Sequence, residues 1–399
     1  MAAPLTRIPL AGGTQETLLS EVGAVLLPYV SMRDACALRL VCREFLAAVS
    51  EHPWEDRRTV IKGSIGAWRA CFPRARCANV QRWGSEMRAS PVVDADFVHF
   101  EGLRELCMAG CRDVTDVAFV HLRGFHTLDM SSCNQAGITD AAFAHLRGIH
   151  TLDMSRCSQA GITDAAFAHL RGIHTLDMSH CSYNLTDSAF GHLRGIHALE
   201  MAGCRNHAGI TDAAFAHLRG IHTLGMQCCD QITSAAFVHL RGIHTLDMAN
   251  CSQIADAHFE HLRGIDSLTM YNNGQAGITD AAFVHLSGIR SLSMACCSQG
   301  SITDAAFEHL RGIQDLDISC CSQEGITDAA FVHLRGILWL NMWGCRQRSI
   351  TGATFGHLQG IKSLQMSDDR LKLVAVARSF GLTVDVQGDS EWGAGSYDY

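Results

Sequence analysis

A phrase of twenty residues, AGITDAAFAHLRGIHTLDMS, fills positions 136–155 and returns unchanged at 160–179. Looser copies run from about residue 92 to about residue 386, so whatever one copy folds into must stack on itself. Registered on one leucine, the copies fall at Leu106, Leu128, Leu152, Leu176, Leu199, Leu224, Leu246, Leu268, Leu292, Leu316, Leu340 and Leu364, 22 to 25 residues apart. Within a copy, Leu152 and Met154 alternate with Thr151, Asp153 and Ser155, the period of a half-buried strand. Beyond Cys157 and a polar turn, Thr163-Asp164 starts a short helix that sets Phe167 and Leu170 on one face, and Gly172 is expected to close it.

A strand and a helix this short cannot bury an apolar face alone. Parallel stacking sets strands about 4.8 Å apart and joins the faces into a continuous core. Helices are wider than that spacing, so the expected fold is an α/β solenoid, a horseshoe with parallel strands on its concave side and short helices on its convex side. A core that grows in one dimension places no limit on a chain of 399 residues.

The spacing I-x-x-L-x-M-x-x-C, followed by I-T-D and a helix containing Phe, resembles the cysteine-containing class of leucine-rich repeat, which is common in F-box receptors of ubiquitin ligases. Upstream, residues 18–54 read LLSEVGAVLLPYVSMRDACALRLVCREFLAAVSEHPW, with Ser31 and Asp34 spaced as a capping box and Leu38, Val41, Cys42, Phe45 and Val49 recurring at helical spacing. Glu21, Leu26, Val30, Asp34, Leu38, Val41, Cys42, Phe45, Pro53 and Trp54 follow the F-box pattern in order, and the block departs from it at Leu19, Pro28 and Ala35. The resemblance implies a helical domain that docks on the ligase adaptor through Leu18, Leu26, Val30, Leu38, Val41 and Phe45. It also implies a cullin scaffold as partner. A plain helical cap over the open end of the array is the competing reading of the same block.

The expected domains are a flexible lead at 1–16, the F-box-like helices at 17–54, and a linker helix with a worn first repeat at 55–91. Repeats with a closing cap follow at 92–386, then a flexible tail at 387–399. Ile61, Ile65, Trp68 and Phe72 share a helical face in the linker, and Ala78-x-Val80 resembles a worn strand. A helix over 369–380 and a strand over 382–386 are expected to form the cap. Trp392, Tyr397 and Tyr399 would anchor the tail if it folded back over the strand face.

A net charge of −8 argues against nucleic acid as the default partner, and the chain has neither an 18-residue apolar run nor a signal-peptide core. It is expected to be intracellular, in the cytoplasm or nucleus. Of eighteen cysteines, ten share one repeat column (Cys111, Cys133, Cys157, Cys181, Cys204, Cys229, Cys251, Cys297, Cys321 and Cys345), where Asn273 and Asp369 also stand. A column that accepts Asn and Asp fits buried thiols in a reducing compartment better than disulfides.

Twelve histidines, from His99 to His357, form a column on the helix side, too widely spaced to share a metal and expected to be hydrogen-bonded. Six more, His126, His150, His174, His197, His222 and His244, lie beside the strands, where neighbours can stack. No metal, cofactor or catalytic residue is assigned, because each candidate nucleophile is duplicated along the array.

Binding is expected where the repeat is broken. The central exposed strand column reads Asp129, Asp153, Asp177, Glu200, Gly225, Asp247, Thr269, Ser293, Asp317, Asn341 and Gln365, an acidic stripe suited to a basic segment. Tyr271, Asp315, Asp317, Trp339 and Trp343 form the expected protein-substrate patch, since exposed Trp marks binding hot spots. The resulting reading is a non-catalytic receptor subunit of an SCF-type ligase with a protein substrate and neither nucleic acid nor membrane as partner. A repeat scaffold outside any ligase is the alternative.

Overall fold

The computed structural model describes residues 25–82, 90–181, 185–204, 209–274 and 277–387. The chain forms two compact units, residues 1–149 and 150–399.

The first unit begins with three short helices, α1 (Met32–Leu38), α2 (Arg43–Glu51) and α3 (Ile65–Cys71). Of the expected capping box only the N-cap half forms: the Ser31 hydroxyl accepts the Asp34 N–H at 3.2 Å and donates to the Asp34 carboxylate at 2.8 Å, which therefore bonds the Ser31 side chain in place of its backbone N–H. The single helical face expected from Leu38 to Val49 is absent, because α1 stops at Leu38 and Cys42 caps a new helix with its sulfur. Leu40 and Val41 therefore lie in a turn. Trp54 is buried, donates its indole N–H to the Val49 carbonyl at 2.8 Å, and meets Phe72 edge to face at 5.4 Å.

Three strands follow: β1 (Cys77–Asn79), β2 (Glu105–Cys107) and β3 (Thr127–Asp129). They pair in parallel, so the worn Ala78-x-Val80 segment is a true first strand.

The second unit holds β4 (Thr151–Asp153), β5 (Thr175–Asp177), β6 (Ala198–Glu200), β7 (Thr223–Gly225), β8 (Thr245–Asp247) and β9 (Ser267–Thr269). After these come β10 (Ser291–Ser293), β11 (Asp315–Asp317), β12 (Trp339–Asn341), β13 (Ser363–Ser367) and β14 (Val384–Gln387). Each pairs in parallel with the next, leucine against leucine from Leu152 to Leu364, and Leu364 meets Val384 of the closing strand. The helix Leu371–Ser379 packs before that strand.

Most repeat strands carry one buried residue between two half-buried ones, as the alternation requires, while β7 and β12 also bury their third residue, Gly225 and Asn341. Leu152, Met154, Cys157, Ile162, Ala166, Phe167, Leu170 and Ile173 are all buried, and their equivalents recur through the unit. At about 1.5–3 kcal/mol per buried large side chain, these columns dominate the stability.

The repeat helices are shorter than the sequence suggests. Asp164–Phe167 is one turn, and Leu170 packs from the segment after it. Gly172 sits with φ +83° in the turn before the strand rather than at the helix end.

Coils are tied together by a polar clamp. Thr163 caps its own helix by accepting the Ala165 N–H. Asp164 reaches across and takes both the N–H (2.9 Å) and the hydroxyl (2.5 Å) of Thr186 in the following coil. Asp187 holds Thr211 in the same way, Asp212 holds Thr233, and Asp256, Asp280 and Asp304 hold Thr279, Thr303 and Thr327.

Candidate binding surfaces

In the first unit, large apolar side chains are exposed on and between the helices. Tyr29 and Leu40 are 88% exposed, Val25 68% and Val41 66%, while Leu26 and Leu46 are also open. The same helices bury Leu27, Met32, Ala35, Val49 and Trp54, so their own interior is filled by other residues. Of the residues expected to meet an adaptor, Leu26 and Val41 are exposed, Val30, Leu38 and Phe45 are half-buried, and Leu18 lies outside the described residues. Sequence reasoning missed Val25, Tyr29, Leu40 and Leu46. For Leu40 the signal was hidden by the assumption of one continuous helix. Beside this surface a cleft of 590 Å³ opens between Leu27–Ser31 and His52–Thr59.

On the strand face of the second unit, most of the acidic column has structural work. Asp153 and Asp177 accept the N–H of Ser155 and Ser179, both at 2.9 Å, closing a turn at the strand end. Asp317 does the same with Ser319 at 2.8 Å, and burial pushes its carboxyl up. Glu200 is different. A Cβ added at Gly225 would lie 1.6 Å from its Oε2, so the glutamate fills the space above that glycine. Burial, followed by Asp177 and Asp247, pushes its carboxyl up to about 7.

Only part of the expected substrate patch is contiguous. Asp315 and Trp339 are register partners on β11 and β12, and Asp317 pairs with Asn341. Trp339 is half-buried. The Trp343 indole N–H donates to the Gln387 carbonyl at 3.2 Å, which ties this ring to the closing strand. Tyr271 shares Trp343's column, but Ala295 and Ser319, both buried, stand between them. Stacking at about 4.8 Å per coil leaves the two rings roughly 14 Å apart. Trp392, Tyr397 and Tyr399 lie outside the described residues.

The cysteine column behaves as a ladder of buried donors. Cys181 donates to the Met154 carbonyl at 3.1 Å, Cys251 to Met226 at 3.2 Å, Cys297 to Met270 at 3.0 Å and Cys345 to Ile318 at 3.0 Å. Asn273 substitutes in this column by donating its amide to Met248 at 2.9 Å. Burial pushes the Cys251, Cys297 and Cys345 thiols up to about 12, far from a thiolate.

Several helix-side histidines accept hydrogen bonds from the coil before, as in Arg171 Nε to His192 Nδ1 at 3.3 Å and Arg219 Nε to His239 Nδ1 at 3.2 Å, whereas His121 meets the Glu101 carboxylate at 2.6 Å. The strand-side histidines stack. Among the described residues, no group of three or more His, Cys, Asp or Glu is placed to hold a metal ion. No helix among them is long and apolar enough to cross a membrane.

Parallel strands in leucine register, one helical turn per coil and a continuous apolar interior define a leucine-rich repeat protein, a class whose strand faces bind other proteins. The BspA-type leucine-rich repeat region matches six copies, over residues 112–240 and 230–362. These cover more than half of the chain, and it belongs to that family.

No curated protein matches the chain significantly in sequence. Among solved structures, the Toll–Spatzle complex, described as a hub in Drosophila development and innate immunity, aligns at a TM-score of 0.55 with 14% identity over 73% of this chain. The TLR13–ssRNA13 complex aligns at 0.54 with 16% identity over 74%. The chain spans only 43% and 46% of those two chains, and at such identity the likeness shows the fold alone. A yeast complex of Rad7 and Elc1 aligns at 0.49 with 16% identity, over 79% of this chain and 89% of that one.

Proposed function

We propose that the chain is the substrate-recognition subunit of an SCF-type, cullin-RING ubiquitin ligase, its N-terminal helices docking on the adaptor and its strand face holding a protein client. The observation that carries this reading is the exposure of Val25, Leu26, Tyr29, Leu40, Val41 and Leu46 on and between helices whose own interior is already filled. A domain that served only to cap the array would turn its apolar side chains inward. Large apolar groups left in water mark a protein-interaction surface, and Tyr29 among them is of the type enriched at binding hot spots. The order of F-box residues from Asp34 to Trp54 supports the same assignment.

The receptor contributes proximity, and ubiquitin transfer belongs to its partners. On the client side, the adjoining Asp315 and Trp339 form the smallest patch that combines a charge with an aromatic anchor.

Co-purification of the full chain with adaptor and cullin tests the proposal. Val41→Asp alone and with Leu40→Asp should abolish adaptor recovery while thermal unfolding stays within about 0.5 kcal/mol of wild type, since both side chains are exposed. Unchanged adaptor recovery by the folded double variant would overturn the ligase assignment and leave a repeat scaffold.

A further inference from the structure

Four successive turns of the second unit, residues 168–175, 191–198, 216–223 and 238–245, contain no Asp or Glu, although the chain as a whole carries a net charge of −8. Each turn presents an exposed arginine: Arg171, Arg194, Arg219 and Arg241. None of the four pairs with a carboxylate among the described residues. Instead each donates Nε to the Nδ1 of a histidine one coil on, at 3.2–3.4 Å, which holds the guanidinium plane and leaves Nη1 uncommitted.

Beside these arginines, His150, His174, His197, His222 and His244 form an unbroken stack with centroids 4.4–4.5 Å apart. The patch has a defined end. At the next coil Asp266 approaches His244 Nε2 at 3.7 Å and is itself paired with Arg290.

We propose that this edge of the second unit is a docking surface for a short, extended acidic polypeptide, whose carboxylates are taken by Arg171, Arg194, Arg219 and Arg241. Spacing favours a strand-like partner. Side chains on one face of an extended peptide repeat every ~6.7 Å, between the ~4.8 Å strand spacing and the ~10 Å helix spacing that bracket these turns. Guanidinium groups already held through Nε lose less freedom on binding than free ones would.

A peptide is favoured over nucleic acid by the rest of the charge distribution. Asp177 and Asp247 each lie three residues beyond a stacked histidine on the same strand and would repel a long polyanion that overran the edge. A short acidic segment stays within the four turns.

The imidazoles add a pH term. His174 is faced by His150 and His197, and His222 by His197 and His244, with Thr175 and Thr223 beside their Nδ1 atoms and Asp266 only at the far end. Partial desolvation, then the neighbouring rings, hold His174 and His222 below the ordinary histidine range. His174 and His222 therefore take up a proton, and with it positive charge, only on acidification below the ordinary histidine range, so affinity for carboxylates should rise as pH falls.

The test is fluorescence anisotropy of a labelled short poly-glutamate peptide with the full chain. Binding is expected to weaken with salt, to tighten between about pH 7.5 and about pH 5.5, and to drop at least about tenfold in Arg194→Gln/Arg219→Gln. Arg378→Glu, at an exposed position on the closing helix, should bind as wild type does. Unaltered binding by the folded double variant, equal loss in Arg378→Glu, tighter capture of a single-stranded oligonucleotide of equal charge, or weaker binding at the lower pH would each overturn the proposal.

Discussion

Glu200 sets up a stability experiment whose sign follows from its surroundings. It lies at the end of β6, over Gly225, with Asp177 on one side and Asp247 on the other. Its carboxyl is held at about 7 in the folded chain against an ordinary 4.5. The folded state therefore binds this proton more tightly than the unfolded state does. Its stabilising contribution is present below pH 4.5 and is lost as pH rises from there through about 7. That gap corresponds to at most about 3.5 kcal/mol at ~1.4 kcal/mol per pH unit. Glu200→Gln keeps the shape and removes the titration. The variant should match wild type near pH 4.5 and exceed it by up to about 3.5 kcal/mol above pH 7. Urea unfolding of both proteins across that range measures the difference, in which the unchanged carboxylates cancel. Parallel pH profiles, or a variant less stable than wild type under alkaline conditions, would refute the account of a carboxyl held protonated by burial and by the neighbouring Asp177 and Asp247.

The clamp between coils should be felt directly. Asp280→Ala removes acceptors at 2.7 Å from both the Thr303 N–H and its hydroxyl, and should lower stability by about 2–3 kcal/mol in urea unfolding; an unchanged midpoint would mean the contact contributes nothing. The two tryptophans should separate by assay. Trp339→Ala should lose client capture with normal unfolding, whereas Trp343→Ala breaks the bond to Gln387 and should cost about 1–2 kcal/mol at the closing strand. Client binding retained by Trp339→Ala would remove that residue from the proposed patch.

The fold was legible because its rules are local and repeated. Alternation from Thr151 to Ser155 marks a strand wherever it occurs, and twelve registered copies leave only stacking as a solution. The helix was read too long because Phe167 and Leu170 sit three apart, as on a helix, while the chain after Phe167 packs Leu170 from a turn. The clamp was written in the sequence as paired columns. Asp and Thr recur together, and at one junction both are missing, with Ser234 in one coil and Ala255 in the next. Neither residue type reveals the contact alone, since both also suit a helix start. The exposed Leu40 was hidden for a different reason, because its turn is set by Cys42 capping α2, a role seldom given to cysteine. The strand-face Asp column reads as an acidic stripe, and what the sequence does not show is that Asp153 and Asp177 also hold the N–H of the Ser two residues on.

The place where the pattern breaks divides the surface of the array while sparing its interior. At the Ser234–Ala255 junction the buried His258 ring accepts the Ala255 N–H at 3.0 Å and packs edge to face on Phe237 at 4.7 Å, replacing the missing clamp. In that coil and the following one, the basic edge ends at Asp266 and the acidic strand column gives way to Thr269 and Ser293. Yet Leu246, Leu268 and Leu292 stay in register and buried. Packing holds the interior columns constant because a change in volume is felt by both neighbouring coils. Surface columns carry less of that constraint, so they can change together between residues 234 and 293 while the interior stays as it is. One stretch is charged along its edge, the other carries the aromatic side chains, and a single interior serves both.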